Sequence, residues 1–237
     1  MALEAIVAQA RSHTGGDIPR RSARTHPGKV AIIDGEVTLT FAEFDRLVDR
    51  AAAALNDNGF GPGDRVALLA HNCWQYAVLA FATARAAVVL VPINFMLTAE
   101  EIAYILRHSN ADGFIVEAEL APTAEHAMRI ADASFTTAAL VLPGQTLPAG
   151  WDDFARWLTT DSAAPSPQID DDQLLRLMYT SGTESRPKGV MHTSRRSCPE
   201  SGVNRRHGRR FRFTTCKSVK KELRPCLFEY PLPTVSA

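Results

Sequence analysis

Disulfide staples, export signals and uninterrupted hydrophobic runs are all missing from this sequence. Four cysteines in 237 residues, three of them (Cys198, Cys216, Cys226) near the C-terminal end, exclude a disulfide scaffold. Those three and His207 contain no Cys-x-x-Cys pair, so no metal site is assigned. With 14 Gly and 14 Pro the chain is neither collagen-like nor wholly disordered. No basic segment precedes the apolar residues of Met1 to Val7, and Glu4 interrupts them, so a secretory signal is not expected. The most apolar window, Trp74 to Ile93, carries Arg85 near its centre. An arginine in mid-span costs about 2.5–3.5 kcal/mol on insertion scales. The window reads instead as an amphipathic helix, Trp74 to Arg85, followed by a buried strand, Val88 to Val91. No membrane span is expected. With Cys73 the one cysteine before position 195, a reducing cytoplasm is the expected compartment.

The formal net charge of zero conceals two opposite parts. Residues 1–194 carry 15 basic against 23 acidic residues, whereas residues 195–237 carry 11 against 3. Alanine divides in the same way, 34 before position 195 and one after. Two domains of different character follow: an α/β body over 1–194, and an aberrant or disordered basic tail over 195–237. Arg, Pro, Ser and Cys are what an Ala-rich coding region tends to yield one base out of frame, so the tail reads as frameshifted. Its Arg205-to-Phe213 stretch mixes basic and aromatic residues as nucleic-acid-binding segments do.

Within the body, strands alternate with helices. Val30–Ile33 and Val37–Thr40 flank an Asp34-Gly35-Glu36 turn. Thr40 with Glu43, and Thr98 with Glu101, form capping-box patterns that open helices. Arg65–Leu69, Gly113–Val116 and Ala138–Leu142 read as strands, and Pro122–Ala131 as a helix. This alternation predicts βαβ units and a mainly parallel sheet with flanking helices. Ala163 to Pro167 reads as a linker, and Asp170-Asp171-Asp172 as a solvated approach to the next strand. His13, His26, His71, His108 and His126 have no partners at catalytic spacing and are assigned surface or core roles.

One segment carries chemistry. A strand, Leu174 to Tyr179, runs into Thr180-Ser181-Gly182-Thr183-Glu184-Ser185-Arg186-Pro187-Lys188-Gly189. Gly182 lets the backbone approach a ligand closely. Successive N–H groups in such a turn make an anion-binding concavity, to which the hydroxyls add donors. Lys188 supplies a point charge suited to phosphate oxygens. The absence of a closing Gly-Lys-Ser/Thr excludes a Walker A loop.

This stretch resembles the phosphate loop of the adenylate-forming superfamily, Tyr-Thr-Ser-Gly-Thr-Thr-Gly-x-Pro-Lys-Gly. Tyr179 through Thr183 and Pro187 through Gly189 match in order, while Glu184 replaces the commonest Thr and Ser185 the second Gly. Upstream, Arg24 to Ala31, Leu39 to Phe44, Gly63 to Ala67 and Val91 to Asn94 are similar to the same family. Leu97 to Leu106 is similar to its acyl-CoA synthetase branch. The resemblance covers residues from about 20 to 193, an incomplete N-terminal subdomain of the adenylate-forming fold. It implies activation of a carboxylic acid, expected to be a fatty acid, with ATP and Mg2+, then transfer to coenzyme A. It also implies that Thr180, Ser181, Gly182, Thr183, Glu184 and Lys188 surround the phosphates, with Lys188 and Thr183 in catalytic roles. The family's adenine loop, ribose-binding Asp, acyl pocket and C-terminal Lys have no counterpart here, so a truncated, inactive fragment with exposed apolar surface is expected. A non-enzymatic remnant and a basic-tailed nucleic-acid-binding module are the alternatives, and nucleic acid is not the expected partner.

Overall fold

The computed structural model describes residues 15–170, 172–180 and 187–194. A short 3-10 turn leads into α1 (Ile18–Thr25) and then the hairpin β1 (Val30–Asp34) and β2 (Val37–Thr40). Gly35 sits at φ +55 in its two-residue turn, a conformation glycine adopts without steric cost. α2 (Phe41–Asp57) starts where the sequence places it. The Thr40 hydroxyl accepts from the Glu43 N–H, and the Glu43 carboxylate accepts from the Thr40 N–H at 2.8 Å. β3 (Arg65–Leu69), α3 (Trp74–Arg85), β4 (Val89–Ile93), α4 (Ala99–Ser109), β5 (Gly113–Glu117), α5 (Ala121–Ala131) and β6 (Thr136–Leu140) follow. The chain continues through β7 (Asp152–Asp153), the one-turn α6 (Phe154–Trp157), β8 (Leu174–Thr180) and β9 (Lys188–Thr193).

Seven strands form one sheet in the order β7-β6-β5-β3-β4-β8-β9, parallel except for β9, which runs antiparallel to β8. Helices cover both faces. One core joins Val66, Leu68, Leu90, Ile115 and Leu140 to α2, α3 and α6; the other joins Ala67, Leu69, Val91, Phe114 and Val116 to α4 and α5. Burial on both faces explains why these strands read as short continuous apolar runs. The expected α/β class with a mainly parallel sheet is what the chain adopts.

Two expectations need correction. β6 spans Thr136–Leu140 rather than Ala138–Leu142, because its ladder to β5 runs from Gly113↔Thr136 to Glu117↔Leu140 and ends with that strand. α3 is not amphipathic: none of its residues is exposed, since it packs against both the sheet and α2 in the first core. Phe44 of α2 meets Phe81 of α3 edge-on at 5.6 Å. Arg85, read as the charge that forbids a span, is itself buried, with its guanidinium between Asp45 and Asp49. Among the described residues no helix is long and apolar enough to cross a membrane.

The linker expected at 163–167 has no regular structure, and Ala164 packs against the first core. Asp170 and Asp172 are exposed, as a solvated approach requires. The basic tail, 195–237, lies outside the described residues.

Candidate functional site

The segment that carries chemistry joins β8 to β9, so it closes an antiparallel hairpin. The register runs Arg176↔His192, Leu177↔Met191, Met178↔Val190, Tyr179↔Gly189 and Thr180↔Lys188. Thr180 and Lys188 are therefore cross-strand partners on the last rung before the connecting loop, both exposed. Directly opposed residues in an antiparallel pair stand about 5 Å apart, close enough for a hydroxyl and an ammonium to meet one phosphate. Ser181, Gly182, Thr183 and Glu184 lie outside the described residues, as do Ser185 and Arg186.

Because β8 runs parallel to β4, the hairpin leaves the sheet at the carboxyl ends of its parallel strands. Ligands of open α/β sheets collect at that edge, where the strand order reverses. The reversal here falls at β3, whose neighbours β4 and β5 follow it in sequence on opposite sides. His71, just beyond β3, and Glu117, the last residue of β5, meet there. The Glu117 carboxylate accepts from the His71 backbone N–H and lies 2.8 Å from the His71 ring Nδ1. Its other oxygen accepts from the Gln145 amide at 2.7 Å. Burial pushes this carboxyl up, but the bonds from the His71 backbone, Gln145 and the His71 ring together hold it below the usual range. Phe95 leans on the His71 ring with centroids 4.1 Å apart. Nearby Cys73 is pushed up to about 11, first by burial, then by the Glu117 and Asp34 charges, so its thiol stays protonated.

α4 meets the hairpin on the opposite face of the sheet. His108 Nδ1 lies 2.7 Å from the Tyr179 hydroxyl, and the Tyr104 hydroxyl donates a long 3.5 Å bond to the Pro187 carbonyl. Burial, then Tyr104, pushes the Tyr179 phenol up, partly offset by Arg65. His71 and His108 thus have partners brought to them by the fold, His108 from an exposed position as a surface role requires. Sequence spacing could not find them, since each pair joins segments dozens of residues apart. His26 and His126 are exposed, as expected, and His13 lies outside the described residues.

On the sheet face that carries Thr180 and Lys188, Met178 and Val190 form an apolar rung and stay 38% and 42% exposed. Among the described residues no group of His, Cys, Asp and Glu could hold a metal ion.

The family profile described as AMP-binding enzyme matches residues 19–214, running past the compositional boundary at 194. Among curated proteins, the chain is 38% identical over 180 residues to a feruloyl-CoA synthase of Amycolatopsis sp, covering 75% of this chain and 33% of that protein. It is 34% identical over 176 residues to the long-chain-fatty-acid–CoA ligase FadD13 of Mycobacterium tuberculosis, covering 74% and 32%. Among solved structures, the inhibitor-bound N-terminal domain of FACL13 from Mycobacterium tuberculosis superposes with TM-score 0.65 at 32% identity, covering 76% of this chain and 44% of that one. The anthranilate CoA ligase AuaEII superposes with TM-score 0.71 over 78% of this chain and 35% of that one, a likeness of fold at 24% identity. The chain spans about a third of the length of the curated relatives it matches. With the hairpin, the sheet order and the family match in agreement, the chain belongs to the AMP-binding enzymes and corresponds to an N-terminal part of an adenylate-forming acyl-CoA synthetase.

Proposed function

We propose that this chain supplies the phosphate-binding part of a centre that activates a carboxylic acid with ATP and passes the acyl group to coenzyme A. The observation that carries the reading is the Thr180–Lys188 rung at the mouth of the hairpin, in a chain of this family. In the first step a carboxylate oxygen attacks the α-phosphorus of ATP. The bond from that phosphorus to the oxygen bridging to the β-phosphate breaks, and pyrophosphate leaves with the electron pair. Negative charge gathers on the departing oxygens, where the Lys188 ammonium and the Thr180 hydroxyl stabilise it. By resemblance, Ser181, Gly182, Thr183 and Glu184 complete the cradle, with Thr183 beside Lys188 in a catalytic role. Mg2+ would arrive on the nucleotide's phosphates and neutralise their charge there. In the second step the thiol of coenzyme A displaces AMP from the acyl carbon.

A fatty acid is the substrate class we infer, supported by the likeness to the long-chain ligase. The likeness to the feruloyl-CoA synthase makes an aromatic acid the competing reading. We further infer that the 237-residue chain does not turn over by itself and that residues 195–237 add nothing to the site. Holding nucleotide and acid in register contributes about 7–11 kcal/mol to such reactions, and the chain spans only about a third of its relatives. The test is pyrophosphate–ATP isotope exchange with a panel of fatty acids and ferulate, beside nucleotide binding. The expected result is weak ATP binding that Lys188→Ala abolishes, with exchange at background. Exchange above background that Lys188→Ala removes would overturn the inactivity. ATP binding unaffected by Lys188→Ala would overturn the site.

A further inference from the structure

A closed ring of contacts links α4 to both strands of the hairpin. The ring of Tyr179 lies beside Gly189, its cross-strand partner, where an added Cβ would sit 3.5 Å from the tip of that ring. The Tyr179 hydroxyl reaches His108 at 2.7 Å. The His108 ring stacks on Tyr104, one helical turn earlier, with centroids 5.3 Å apart and planes 29° from parallel. Tyr104 in turn reaches the carbonyl of Pro187, the residue that precedes Lys188. The path leaves the hairpin on β8, runs one turn along α4, and returns at the start of β9.

Each link suits its place. Residues four apart lie one above the other on a helix, so Tyr104 and His108 present stacked rings to the sheet. The Thr98–Glu101 capping box fixes the start of α4, and Ile102, Ile105 and Leu106 bury its other side in the core. The phenol of Tyr179 both donates and accepts, so it satisfies His108 whichever imidazole nitrogen carries the proton. Gly189 leaves room for the Tyr179 ring to cross toward β9. Neither Tyr104 nor His108 stands on the face of the sheet that carries Thr180 and Lys188.

We propose that Tyr104 and His108 are positioning residues that clamp the mouth of the hairpin, tying Tyr179 to Pro187 through α4 and so holding Thr180 opposite Lys188. The inference deepens the phosphate-binding reading and rests on it for its purpose, though not for its geometry. The rung beside the connecting loop is the end of the ladder, with neighbouring rungs on one side alone to fix the spacing of its opposed side chains. The clamp supplies at that end what further rungs would supply elsewhere.

Two measurements on the purified 237-residue chain test it. Amide hydrogen exchange at residues 178–180 and 188–190 reads the mouth directly, and titration with pyrophosphate reads what the mouth holds. His108→Ala and Tyr104→Phe are each expected to speed exchange there and to weaken pyrophosphate by about three- to tenfold, the net worth of one hydrogen bond. His108→Asn, which keeps a polar atom near the Nδ1 position, is expected to recover most of both. Unchanged exchange in His108→Ala and Tyr104→Phe would overturn the clamp whatever binding does. Faster exchange with undiminished pyrophosphate binding would overturn its positioning role. If the wild-type chain itself binds no pyrophosphate, the phosphate reading fails alone. Faster exchange recovered by His108→Asn would then still uphold the clamp.

Discussion

Arg85→Met should be among the most destabilising single substitutions in the body of this protein. The Arg85 side chain is 3% exposed, and every guanidinium N–H has an acceptor. Nη2 reaches the Asp45 carboxylate at 2.6 Å and the Gly16 carbonyl at 2.9 Å; Nη1 reaches Asp49 at 2.7 Å and the Asp45 carbonyl; Nε also reaches Gly16. The cluster ties α3 to α2 and to the chain entering α1. The approach is so close that a Cβ on Gly16 would lie 2.6 Å from the Arg85 backbone nitrogen. Methionine fills similar length but leaves the mostly buried Asp45 carboxylate without its cation and the Gly16 carbonyl without its donors, while Asp49 keeps Arg20 at 2.6 Å. Breaking one side of a buried pair costs about 3–5 kcal/mol. For a domain of this size each kcal/mol moves Tm by about 2–4 °C, so a fall of about 6–20 °C is expected. Calorimetry or urea unfolding measures it. Because the cost comes from stranded charge, adding Asp45→Asn to Arg85→Met should restore part of the loss. A loss below about 1 kcal/mol, the worth of an exposed ion pair, would refute the reasoning.

Other expectations follow from single sites. The folded Glu117 carboxyl lies below its ordinary range, so its contribution is complete above the unfolded carboxylate value and fades as pH falls through the folded one. Glu117→Gln should therefore lose stability at pH 7 and show a shallower acid limb in urea unfolding; parallel acid limbs would contradict this. Cys73, raised from 9.0 to about 11, should alkylate about a hundredfold more slowly at neutral pH than an unperturbed thiol. A chain with the other three cysteines changed to serine makes that rate readable, and a rate near that of free cysteine would count against it. Gly113→Ala should cost about 1–3 kcal/mol through overpacking, because its Cβ would collide with the buried Phe60 ring; an unchanged Tm would show that Phe60 yields freely.

The parts of the fold written in local pattern were legible. Capping boxes at Thr40 and Thr98 announced α2 and α4, because they join residues three apart through bonds within one turn. The parallel sheet followed from alternation of short apolar runs with helices. What local pattern could not carry was anything decided across the sheet. The β8–β9 pairing turns a loop into a hairpin, and nothing in the strand before it states that the strand after it returns antiparallel. The absence of any exposed face on α3 depends on α2 packing against it. Arg85 shows the limit well: as a charge in an apolar run it argued correctly against a span, yet its acceptors on α2 and at Gly16 lie 36 to 69 residues away. His71 and His108 looked unpartnered for the same reason.

The hairpin setting changes how a phosphate loop must work. In a strand–loop–helix arrangement the helix N-terminus lends about half a positive charge and a set of free N–H groups to the anion. A loop that returns as a strand has no such terminus behind it, since sheet dipoles largely cancel. Positive charge must then come from a side chain, and Lys188 is the first residue of the returning strand. Its value depends on where it stands relative to Thr180, which in turn depends on the register of two strands at the rung beside their connecting loop. Register elsewhere in β8 is held by burial, with Leu175 in the core and Leu177 packed beneath α4. The last rung is not buried in this way, since Thr180 and Lys188 are both exposed. That is the point at which α4 reaches across with His108 and Tyr104, so the helix that supplies no dipole to the phosphate site supplies its geometry instead.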